Sequence, residues 1–124
     1  MGSHGAPVRF EARAESVSDA RHLARDLAAD APPDLGERLE LVVSELTANA
    51  VRHARTPFTL SIRVAPTVRV EVTDGSRELP VQQTPSPWAD GGRGLWLVAS
   101  SCERWGVTPR SSGKVVWADF GPLR

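Results

Sequence analysis

Tyrosine is missing from this sequence, and cysteine, methionine and lysine occur once each. The single Cys102 excludes an internal disulfide, and with no second thiolate nearby it excludes a cysteine-based zinc cluster. A reducing, cytoplasmic setting suits such a chain. No apolar run approaches the roughly 18 residues that a membrane span needs, so no membrane association is expected. Met1 to Val8 also lacks the apolar centre of a signal peptide. Neither sign of charge is in excess, with 15 basic and 15 acidic residues and a formal net charge of zero. Bulk attraction to phosphate polymers is therefore absent, and no direct nucleic-acid role is expected. What remains is 124 residues, 40% hydrophobic and 24% charged, enough for one ordinary core without staples.

Residues 1–7 read as a flexible N-terminus and 8–124 as a single domain without repeats or a linker. Val8, Phe10, Ala12 and Ala14 alternate with Arg9, Glu11, Arg13 and Glu15, the period of a half-buried strand. Ser16 or Ser18, followed by Asp19, offers an N-cap for a helix whose apolar positions run from Val17 to Leu27 and which Pro32-Pro33 stops. Asp34 then caps a longer helix reaching about Ala54. Phe58–Val64 and Val68–Val72, joined at Ala65-Pro66-Thr67, read as an antiparallel hairpin. Asp74 to Gly92 is aperiodic and rich in proline, longer than most loops that merely connect elements. Gly94–Ser101 reads as a helix, and Arg104–Thr108 with Lys114–Phe120 as a terminal hairpin. The expected fold is α+β: a two-layer sandwich whose mixed, mostly antiparallel sheet is covered on one face by about three helices.

Three places could carry chemistry. On the second helix Leu35, Leu39, Val42, Leu46 and Ala50 form one apolar stripe. Glu45 and Asn49 fall on its shoulder, and His53 falls almost inside it on an ideal wheel. A carboxylate and an amide there are costly unless a ligand, metal or water meets them. The same spacing also fits an interhelical hydrogen-bonding edge. The second place is Asp74-Gly75 at the tip of an apolar strand, which is equally a common turn dipeptide. The third is Gly92-Arg93-Gly94-Leu95, where glycines run into an apolar helix and free N–H groups could meet an anion.

Taken together and in this order, these segments resemble the GHKL, or Bergerat-fold, ATPases, and among them the small actinobacterial anti-sigma-factor serine/threonine kinases. The resemblance spans Val17 to Phe120. It is carried by Leu41-Val42-Val43-Ser44-Glu45-Leu46-Thr47-Ala48-Asn49-Ala50-Val51-Arg52-His53-Ala54, similar to the family's N box. Asp74 follows from the first glycine box and Gly92-Arg93-Gly94-Leu95 from the second. Trp105-Gly106-Val107 and Gly113-Lys114-Val115-Val116-Trp117-Ala118 resemble the subgroup's endings.

The resemblance implies an ATP-binding regulatory protein, an anti-sigma factor that phosphorylates an antagonist protein on serine or threonine. Glu45 would be the general base, and Asn49 would hold Mg²⁺ beside the phosphates of ATP. Asp74 would accept from the adenine amino group, which a guanine carbonyl would not reciprocate. Gly75, Gly92, Arg93, Gly94, Leu95 and His53 would complete the nucleotide site, under a lid at about 75–92. A sigma factor and the antagonist would be the partners, and a homodimer is compatible. Two departures stand out. Ser76 and Glu78 occupy positions where the family's first box has glycines, and the family's late Gly-Thr box is replaced by Ser112-Gly113-Lys114. They leave open an alternative, a nucleotide-gated or catalytically silent module that sequesters a regulatory partner.

Overall fold

Alternating apolar residues build a five-stranded sheet in the computed structural model, which describes residues 6–78 and 94–123. In chain order the elements are β1 (Val8–Phe10), α1 (Ala14–Leu27), α2 (Pro33–Asn49), β2 (Phe58–Arg63), β3 (Thr67–Asp74), α3 (Gly94–Ser101), β4 (Arg104–Arg110) and β5 (Gly113–Pro122). A π-helical turn, Ala50–Ala54, prolongs α2. The sheet order is β1-β2-β3-β5-β4, and all four pairings are antiparallel, so the expected sheet forms without the parallel pair that a mixed one would contain.

One face of the sheet is the core. Phe58, Leu60 and Ile62 of β2, Val68, Val70 and Val72 of β3, and Val116, Ala118 and Phe120 of β5 are buried there. The helices cover them, α2 lying between α1 and α3 and packing on both. The apolar stripe of α2 is the central contact: Leu35, Leu39, Val42, Leu46 and Ala50 are all buried, joined by Val43 and Thr47. At the edge, Phe10 of β1 stacks on its register partner Phe58 with ring centroids 5.4 Å apart.

Several local expectations are corrected. β1 stops at Phe10 because Ala14 and Glu15, good helix formers, open α1 instead of extending the strand. Its N-cap is Arg13, not Ser16 or Ser18. Ser16 lies inside the first turn, where its hydroxyl donates to the Glu11 carbonyl at 2.7 Å. α2 likewise begins without a side-chain cap: Pro32 holds the cap position and Pro33 the first turn, where a missing N–H costs nothing. Asp34, in that turn, pairs with Arg38 at 3.0 Å instead of capping.

Candidate functional site

β3 alternates strictly, so its last residue, Asp74, takes a core-facing position and is only 6% exposed. An unpaired carboxylate there would be expensive. It is paired across the sheet: its register partner Lys114, 5% exposed, donates from Nζ to Asp74 Oδ1 at 3.0 Å. The same Oδ1 accepts the Ser76 N–H at 2.9 Å, and Lys114 Nζ also donates to the Ser76 carbonyl at 3.2 Å. Next to it the Gly75 N–H donates to Thr56 Oγ1 at 2.9 Å. Gly113, ahead of Lys114, passes so near that a Cβ on it would fall on the Asp74 carbonyl oxygen. The strand tip, the turn after it and the start of β5 are thus tied into one unit.

Lys114 and Thr56 are the functional candidates that the sequence reading lacked. A signal for Lys114 existed. Val116, Ala118 and Phe120 fix the inward phase of β5, and Lys114 shares it. Extending that phase by one step places the only lysine of the chain inside the molecule.

Glu45 and Asn49, one turn apart on α2, are both half-buried. Asn49 closes the helix, and the backbone then widens: the Arg55 N–H donates to the Ala50 carbonyl at 3.0 Å, an i to i+5 bond. Arg55 ends the turn in the left-handed region at φ 56°. The widened turn carries the following side chains away from the positions of an ideal wheel. His53, which that wheel put almost inside the apolar stripe, is exposed for this reason. Arg52 Nη2 lies 3.5 Å from Asn49 Oδ1, a long contact that leaves the amide oxygen weakly engaged.

Gly94 starts α3, and Leu95 is 3% exposed within the core. Only the backbone of Leu95 is therefore placed to face a ligand. Gly92, Arg93 and most of the lid lie outside the described residues.

As a magnesium ligand Asn49 fits by chemistry, since a neutral amide oxygen is a hard donor. Among the described residues no group of three or more His, Cys, Asp or Glu gathers to cage a metal. Among the described residues no helix is long and apolar enough to cross a membrane.

Residues 10–120 match the family described as the histidine kinase-like ATPase domain. The chain belongs to that family. No curated protein matches it. Among solved structures this ATPase domain is similar to the crystal structure of the RsbU and RsbW domains of Rv1364c from Mycobacterium tuberculosis, with a TM-score of 0.71 and 16% identity. The superposition covers 97% of this chain and 33% of that one. At this identity the likeness shows the GHKL fold, and family membership carries with it the binding of ATP.

Proposed function

We propose that this ATPase domain is an ATP-dependent serine/threonine protein kinase that also sequesters a regulatory partner, by its likeness to an RsbW domain a sigma factor. The family match over residues 10–120 carries the reading. Its support in the geometry is the joint presence of Glu45 and Asn49 on one face of α2 and of Asp74 buried at the tip of β3.

Asp74 orients the base through its carboxylate. Asn49 would hold magnesium through its amide oxygen, and the ion would supply positive charge against the phosphates. Glu45, one turn earlier, accepts the proton of the incoming serine or threonine hydroxyl, so that the oxygen attacks the γ-phosphorus as ADP leaves. Such a base works by position first. Its removal lowers the chemical step by about 10² to 10⁴ while leaving nucleotide affinity nearly intact.

The test incubates wild type and Glu45→Ala with Mg-ATP and small candidate antagonist proteins, reading phosphoserine and phosphothreonine by mass spectrometry and complexes by gel filtration. Wild type transfers phosphate and the variant binds ATP without transferring it. Equal transfer by both removes Glu45 from the chemistry. The second reading, a silent interaction module, is favoured by one observation: Ser76 and Glu78 stand where the family's first glycine box has glycines. ATP binding and complex formation without transfer by wild type would establish it.

A further inference from the structure

We infer that Lys114 sets the base specificity of the nucleotide site, turning an edge that reads only donors into one that also reads acceptors, so that 6-oxopurine nucleotides are accepted alongside ATP. This rests on the assignment of Asp74 to the base. A carboxylate alone is acceptor-only. It accepts a hydrogen bond from the adenine 6-amino group and repels the guanine 6-oxo group, as expected of Asp74 from the sequence.

The structure places a second charge on that edge. Lys114 Nζ sits 3.0 Å from Asp74 Oδ1, with side-chain exposures of 7% and 3%, so the two groups form one buried unit. An ammonium has three protons and no acceptor. Among the described residues two of them are directed to Asp74 Oδ1 and the Ser76 carbonyl. Ser76 also donates its N–H to Oδ1, so that oxygen already has two donors. Among the described residues that leaves Oδ2 of the carboxylate and the third ammonium proton for a base to meet. An acceptor next to a donor suits two purine edges. Adenine offers its 6-amino proton to the carboxylate and N1 to the ammonium. A 6-oxopurine offers its N1 proton to the carboxylate and its oxygen to the ammonium. The repulsion that makes a lone carboxylate selective is replaced by a hydrogen bond.

Lys114 is a poor candidate for a freely moving side chain. It leaves β5 beside Gly113, whose missing Cβ lets the Asp74 backbone lie against it, and it is the register partner of Asp74 forty positions away. Swinging it out would expose a buried carboxylate without its counter-charge, which is unfavourable.

The experiment titrates the full chain with ATP, GTP and inosine triphosphate in the presence of Mg²⁺ by calorimetry, for wild type, Lys114→Thr and Lys114→Arg, each checked for a cooperative melt. Wild type is expected to bind ATP and GTP within about tenfold of one another, with inosine triphosphate close to GTP because the 2-amino group is not read. Lys114→Thr, lacking the ammonium, weakens GTP and inosine triphosphate by at least about tenfold more than ATP, the usual scale for an unpaired polar group in a reading site. Lys114→Arg keeps a donor and keeps GTP binding, which separates loss of the donor from loss of the fold. A wild-type preference for ATP above about a hundredfold that Lys114→Thr leaves unchanged overturns the inference, since the repulsion was then never relieved. Failure of folded wild type to bind any of the three overturns the nucleotide reading and this inference with it, a different result from selective ATP binding.

Discussion

The indole of Trp117 lies across Gly106, its register partner on β4, so closely that a Cβ on the glycine would stand 2.6 Å from the ring carbon Cζ2. On β3 the Arg69 guanidinium covers the same ring at 4.6 Å from its centroid. Arg69 is held in turn by Glu71 at 3.0 Å and Asp119 at 3.6 Å. The open face of the sheet therefore carries a flat ring between a bare backbone and a braced cation. Gly106→Ala is expected to destabilise the fold by about 1 to 3 kcal/mol, because a rigid ring cannot yield as a flexible chain would. Chemical denaturation of Gly106→Ala against Gly106→Ala/Trp117→Leu checks it: the second change should recover part of the loss.

Gly113 faces a harder obstacle. The atom a Cβ would meet is the Asp74 carbonyl, part of a strand paired on both sides, and φ at Gly113 is +157°. Gly113→Ala is expected to cost more than about 2 kcal/mol, since either β3 or the start of β5 must shift. A thermal melt that falls by only a degree or so would contradict this.

Lys114→Met leaves the Asp74 charge buried without its partner and is expected to cost about 3 to 5 kcal/mol. Removing both charges, as Asp74→Asn with Lys114→Met, should cost less than the sum of the single changes. A double-mutant cycle from urea unfolding measures the difference.

Asn49→Ala is expected to remove the magnesium-dependent part of ATP affinity and to leave the metal-free part in place. Titration with and without Mg²⁺ reads the two parts separately. Equal losses in both would assign Asn49 to the nucleotide itself.

Burial pushes the Cys102 thiol up from its ordinary value, outweighing the hydrogen-bonding and charge effects that lower it. The protonated form is thus favoured by folding. Its contribution to stability is complete below the unfolded thiol pKa and is lost as pH rises through the higher folded value. Iodoacetamide at neutral pH should alkylate the native protein more slowly than the urea-unfolded chain, and equal rates would show the thiolate to be free.

The parts of the fold written in short periods were legible. The stripe Leu35, Leu39, Val42, Leu46 and Ala50 gave α2 its buried face, and Gly94 and Ser101 bound α3 where the sequence suggested. The helix starts were not, because serine and aspartate compete for caps that proline and arginine hold here. His53 was misplaced by assuming one helical geometry through a π turn. The Asp74–Lys114 pair escaped because nothing local connects residues forty positions apart. Only the register of β3 on β5 brings them together.

That register has another consequence. Besides the edge strand β1, the sheet is two short-looped hairpins, β2–β3 and β4–β5, zipped along a single seam between β3 and β5. Residues 79–93 join the halves in sequence, but eight register pairs join them along the seam, from Thr67 with Pro122 to Asp74 with Lys114, and α3 docks on α2 behind it. A chain cut between residues 79 and 93 would therefore separate into two pieces only by unzipping that seam. Two fragments cut there are expected to pair along that seam, each carrying one charge of the buried pair.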